Sequence, residues 1–161
     1  MVSERGERTL VSDHIQRFTS IKILGQLYRS AAATSLRGSY IQAIFPKSGD
    51  ANEPIESDEI EYRYGQIQYF FVHKVQVLDY ETREPRLTAH VFAFVRWFAK
   101  SYPGFISFAP FGLAVCKDET RYLPLREDCI LPVHRIHSPI TVSRHLENTL
   151  VVVPLLRRTI G

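Results

Sequence analysis

Tyr64-Gly65-Gln66-Ile67-Gln68-Tyr69-Phe70-Phe71 and, after a polar gap, His90-Val91-Phe92-Ala93-Phe94-Val95-Arg96-Trp97-Phe98 decide the fold of this chain. Both stretches are dense in aromatic and β-branched residues, which suit the pleated, half-buried surface of a strand. The gap from Asp79 to Thr88 carries Glu81, Arg83, Glu84, Pro85 and Arg86, and reads as the irregular connection of a long hairpin. In the second stretch Val91, Ala93, Val95 and Trp97 fall on one face, and Phe92, Phe94, Arg96 and Phe98 on the other. A strand apolar on nearly both faces is central and covered on both sides. Arg96 is the exception on its face, and a half-buried arginine needs a partner.

Working outward, Ser20 to Tyr28 alternates enough for a strand, with Gly25 implying a bulge or a close backbone approach. Ser39 to Phe45 predicts another strand, stopped by Pro46 and a Ser-Gly-Asp turn. Beyond the hairpin, short strands are expected at Gly112 to Cys116, Cys129 to His137, Pro139 to Val142 and Thr149 to Leu156. Residues 1–18 read as a polar lead-in, partly helical around Asp13 to Phe18, before a single β-rich domain over 19–161. Short strands punctuated by glycine and proline predict an all-β fold, a distorted barrel of short antiparallel strands with small helical pieces in its loops.

Composition narrows the function classes. With 161 residues, 45% hydrophobic and 23% charged, the chain can bury one sizeable core. No apolar run is long enough to cross a membrane, so no membrane partner is expected. Met1 to Arg17 carries Glu4, Arg5, Glu7, Arg8, Asp13 and Arg17 and no apolar stretch, so a nuclear or cytoplasmic address is expected rather than a secretory one. A net charge of +3 falls short of a strong nucleic-acid signature. The charge is nevertheless divided: Glu53, Glu56, Asp58, Glu59 and Glu61 form an acidic stretch, whereas Arg121, Arg126, Arg135, Arg144, Arg157 and Arg158 lie towards the C-terminus.

Catalytic patterns are weak. Cys116 and Cys129 sit among apolar residues and read as buried free thiols, too few for a disulfide framework or a four-cysteine zinc site. His134 and His137 are spaced three apart, which on a strand places them on opposite faces, and Pro132 and Pro139 bracket the segment against helix. No metal and no cofactor are therefore expected. There is no Gly-x-Ser-x-Gly elbow and no phosphate-binding or dinucleotide-binding glycine loop. A trio of Cys116, His134 and Asp128 needs an assembly that nothing in the spacing calls for. The aromatic residues are the better lead. Tyr62, Tyr64, Tyr69, Trp97, Phe98 and Tyr102 gather towards the ends of the central hairpin, where electron-rich ring faces attract a methylated ammonium.

The order of these elements resembles the bromo-adjacent homology (BAH) domain of chromatin proteins. Tyr64-Gly65-Gln66-Ile67 is similar to that family's opening strand, and Val95-Arg96-Trp97-Phe98 to its strand ending in a Trp or Phe followed by an aromatic residue. Val133-His134-Arg135-Ile136-His137-Ser138-Pro139-Ile140-Thr141-Val142 is similar to the closing segment, so that the resemblance runs from Tyr62 to Val142. It implies a barrel that docks on histones or other protein partners, with methyl-lysine cage positions at Tyr64 and Trp97. The chain departs from the family at Ala99-Lys100-Ser101, where Arg-Pro-Glu is usual, and the third cage position falls on Ala99.

Three expectations follow. The first is a non-catalytic module docking on chromatin or a protein partner through Tyr64, Tyr69 and Trp97, with Glu59 or Glu61 supplying negative charge. The second is a nucleic-acid-binding barrel in which Arg121, Arg126, Arg135, Arg144, Arg157 and Arg158 track phosphates. The third, ranked last, is an enzyme built on Cys116, His134 and His137.

Overall fold

The computed structural model describes residues 9–11, 14–46, 60–78, 82, 84–99, 114–117, 122–144 and 149–155. The long hairpin is its spine. Strands β6 (Ile60–Leu78) and β7 (Pro85–Trp97) pair antiparallel from Gly65 opposite Trp97 out to Leu78 opposite Pro85. The connection is therefore shorter than the expected gap, because Pro85 to Thr88 continue the ladder. Alternation holds in β7, where Ala93, Val95 and Trp97 are buried and Phe92, Phe94 and Arg96 are half-buried on the opposite face.

In β6 the alternation breaks once. The register shifts between Ile67 and Tyr69, leaving Gln68 as a bulge. An extra residue moves every later side chain to the other face. Ile67 and Phe70, three apart, therefore both enter the core, and Tyr69 and Phe71 take the other face, where they stack on Phe94 and Phe92.

Strand β5 (Tyr40–Pro46) pairs with the first half of β6, Tyr40 opposite Gln66 and Pro46 opposite Ile60. Where β5 stops, β2 (Gln16–Phe18) and β1 (Thr9–Val11) pair with β6 in its place. The described part of the lead-in is thus strand, and Gln16–Phe18, expected to be partly helical, runs extended beside Phe70 to Val72. Residues 20–29 are not one bulged strand. They fold into a small hairpin of β3 (Ser20–Ile23) and β4 (Gln26–Arg29) that reverses at Leu24 and Gly25, both with positive φ (46° and 81°). Two consecutive positive φ values give the turn whose twist matches the flanking strands.

The remaining elements are β8 (Ala114–Lys117), β9 (Ile130–Pro132), β10 (Ile136–Arg144) and β11 (Thr149–Pro154), with 3-10 turns at Glu127–Cys129 and Val133–Arg135. The main sheet runs β8-β11-β10-β5-β6-β7-β9, antiparallel throughout, with β1 and β2 beside β6. The expected all-β fold with small helical pieces is what forms. The sheet does not close into a barrel: among the described residues no pairing joins its end strands β8 and β9.

Two apolar clusters hold it together. The larger gathers Tyr28, Ile41, Phe45, Ile67, Phe70, Val95, Trp97 and Leu131 with Cys129, and Ile21 and Ile23 of the small hairpin pack against it. The smaller joins Tyr64, Phe98, Cys116, Ile140, Leu150 and Val152. Several buried polar groups are paired: Ser138 donates to Gln42 Oε1 (3.0 Å), Gln42 donates to the Tyr64 hydroxyl (3.4 Å), and Tyr122 donates to Gln66 Oε1 (2.7 Å). Such pairing makes their burial tolerable.

Candidate functional site

The start of β6 and the end of β7 meet at a cleft of about 330 Å³, walled by Glu61, Arg63, Tyr64, Trp97, Phe98, Leu123, Pro124, Arg126 and Asp128. Backbone hydrogen bonds build it. Phe98 N–H donates to Tyr64 carbonyl (2.9 Å), and Leu123 N–H to Trp97 carbonyl (2.8 Å), so the segment from Tyr122 crosses the end of β7. The indole N–H of Trp97 then donates to the backbone oxygen of Asp128 (2.9 Å), fixing the 3-10 turn against the ring.

Arg63 is the ionic centre of this cleft. Its Nε donates to Glu61 and its Nη1 to Asp128 Oδ2 at 2.6 Å, while its guanidinium lies 4.1 Å from the centre of the Phe45 ring. Both carboxylates of the cleft are thereby matched to one cation. Arg126 is exposed on the rim and, among the described residues, takes part in no ion pair. Leu123 and Leu125 are exposed beside it.

Of the expected ligand-binding residues, the fold brings Tyr64, Trp97 and Glu61 to this one cleft. It does not leave the rings open. Trp97 is 1% exposed and packs edge-on against Phe45, and Tyr64 is 5% exposed within the smaller cluster. Burial raises the Tyr64 phenol pKa, with the Gln42 hydrogen bond acting the other way. Tyr69 stands elsewhere: beyond the bulge at Gln68 it lies away from this cleft, with Phe94 stacked on it and the Arg17 guanidinium 3.8 Å from its centre. A cage of Tyr64, Tyr69 and Trp97 is therefore not assembled.

The expected arginine surface is also divided. Arg135 is 7% exposed and so withdrawn from any phosphate backbone, Arg126 lies at the cleft, and Arg144 is exposed at the end of β10. Glu59, Arg121, Arg157 and Arg158 lie outside the described residues.

The enzyme trio is not brought together. Cys116 is buried with Leu150 and Tyr64, Asp128 is held by Arg63, and His134 lines a separate hollow with His73 and His90. Burial lowers the His134 pKa, helped by neighbouring Arg135. The His134–His137 pair does not converge either: His134 sits on the 3-10 turn, and the His137 ring packs 5.5 Å from Tyr62. Among the described residues no group of three or more His, Cys, Asp or Glu side chains could hold a metal ion, and no helix is long and apolar enough to cross a membrane.

Arg63, Leu123 and Pro124 were not legible as site residues, and Asp128 entered only in the trio with Cys116 and His134. The one sequence signal was Glu61-x-Arg63, opposite charges two apart and hence on one face of a strand. No family model, curated protein or solved structure matches this chain.

Proposed function

We propose that this chain is a non-catalytic interaction module that docks a short peptide segment of a protein partner in the Glu61–Trp97–Arg126 cleft. One observation carries the reading: buried aromatic rings border a small hollow whose lining carboxylates are bound by Arg63, leaving Arg126 as a charge with no ion pair among the described residues. Leu123, Pro124 and the ring edges suit an apolar side chain, and Arg126 suits a carboxylate next to it.

The preferred ligand is thus an apolar residue beside Asp or Glu. Methyl-lysine fits less well, because it needs open ring faces and free negative charge. The resemblance to BAH domains makes chromatin one source of such a segment, and another nuclear or cytoplasmic protein a second.

The test is an array of peptides carrying Leu or Phe beside Glu, beside Lys, and beside trimethyl-lysine. Binding is expected to favour the Glu series and to fall about tenfold or more on Arg126→Glu, with a similar loss on Leu123→Asp. Binding that requires lysine methylation and survives Arg126→Glu would overturn the reading.

A further inference from the structure

A second cleft, of about 550 Å³, lies on the face to which the bulge turns Tyr69. Its walls include Arg17 from β2, Ala31 from the turn after β4, Tyr69, Phe94 and Arg96 from the long hairpin, and Tyr122. Among the described residues no carboxylate lines it. Arg17 lies over Tyr69 at 3.8 Å and Arg96 over Tyr122 at 5.0 Å, both measured to the ring centre. Among the described residues neither guanidinium takes part in an ion pair, and the buried Nε of Arg96 has no hydrogen-bond partner.

A half-buried guanidinium such as that of Arg96, with no acceptor for its Nε among the described residues, is costly, and the exposed Arg17 adds a second cation at the same concavity, so the hollow suits an anion. Stacking on tyrosine holds each planar fork in place before a ligand arrives, which lowers the entropy lost on binding. The space far exceeds a bare oxyanion and falls within the size usual for small-molecule sites, roughly 300–1,000 Å³. Ala31 and Phe94 add apolar wall against which a flat group can lie.

We propose that this cleft binds a nucleotide, its phosphate between Arg17 and Arg96 and its base against Ala31 and Phe94. The nucleotide comes either free in solution or as one unit of a single strand. Duplex is not the ligand proposed, because a base held in a pair and stacked in a helix is not free to lie against Phe94. This site shares no residue with the peptide cleft, and neither reading depends on the other.

The test titrates the whole chain with thymidine monophosphate by calorimetry, and with a fluorescein-labelled oligothymidylate of roughly a dozen nucleotides by anisotropy. Thymidine, inorganic phosphate and a duplex of the same length serve as comparisons. Arg96→Gln and the exposed Arg17→Gln are each expected to weaken binding about tenfold, the loss of one charge-assisted contact, while Arg126→Gln leaves it unchanged. Equal affinity for monophosphate and oligomer assigns a free nucleotide. Much tighter oligomer binding, with a salt slope of about −0.7 per phosphate neutralised, assigns a single strand. The proposal is overturned if neither probe binds, if inorganic phosphate competes as well as the monophosphate, if duplex binds equally, or if Arg17→Gln changes nothing in a protein that retains its circular dichroism.

Discussion

Gly65 lies directly opposite Trp97 across the β6–β7 ladder, and the indole occupies the space that a side chain at Gly65 would need. A Cβ there would stand 2.8 Å from Trp97 Cε3, 2.9 Å from Val95 Cγ1 and 2.6 Å from the backbone oxygen of Arg96. Since one of these is backbone within a paired strand, the neighbours cannot all move aside. Gly65→Ala is expected to lower stability by about 1–3 kcal/mol, the usual cost of overpacking. Urea denaturation checks it: the midpoint should fall with an unchanged slope.

Leu24 presents the opposite case, a residue whose replacement should help. It holds a φ of 46° in the β3–β4 turn with its side chain largely in solvent, so little packing repays its strain. Leu24→Asn should raise stability by about 1 kcal/mol, since asparagine tolerates the left-handed region far better. Thermal unfolding should show a higher midpoint. An unchanged or lowered value would mean that Leu24 contributes packing its exposure does not reveal.

Trp97 is the only tryptophan of the chain, so its fluorescence reports on the peptide cleft without labelling. Its burial predicts emission insensitive to acrylamide in the native state and sensitive in urea. Native-state quenching would mean an open ring face, as a methyl-lysine cage requires. Trp97→Phe removes the donor to Asp128 carbonyl and should cost about 1–3 kcal/mol through that unpaired group alone.

Stability should decline in alkali. Burial holds the Cys129 thiol above its ordinary 9.0, against the opposing Arg126 N–H, and burial likewise holds the Tyr64 phenol above 10.0. Both groups keep their protons in the folded chain after the unfolded chain has lost them. The unfolded state then binds fewer protons, and stability falls as pH rises. The contribution is complete below the ordinary thiol value and is lost as pH climbs through the raised folded values. Urea unfolding between about pH 8 and about pH 10.5 should show this decline, and Cys129→Val should make it shallower. A slope that Cys129→Val leaves unchanged would assign the effect to other groups.

What could be read from the sequence was what repeats. β7 alternates from Phe92 to Trp97, so its core face was visible in Ala93, Val95 and Trp97. The two cysteines, set among apolar neighbours, are buried and form no disulfide. What could not be read was each place where the period is interrupted. Gln68 bulges within an unbroken run of strand-forming residues, and nothing in Gln66-Ile67-Gln68-Tyr69 marks it. Leu24 conceals a turn because leucine is a poor residue for positive φ. The wall from Leu123 to Asp128 has no period at all, being placed by single hydrogen bonds to Trp97. Tyr69, grouped with Tyr64 and Trp97 by its place along the hairpin, lines a different hollow beside the bulged Gln68.

That one residue governs more than one side chain. The bulge works as a clutch between two lengths of β6: upstream, odd-numbered positions such as Gly65 and Ile67 point to the core, and just beyond it the even-numbered Phe70 does. Deleting Gln68 would re-engage the two lengths in a single phase, driving the Tyr69 position towards the core and Phe70 towards solvent. The cleft at Tyr69 would be lost, although it does not depend on Gln68 for its charge. A change in length at this point would therefore do more harm than most changes in identity.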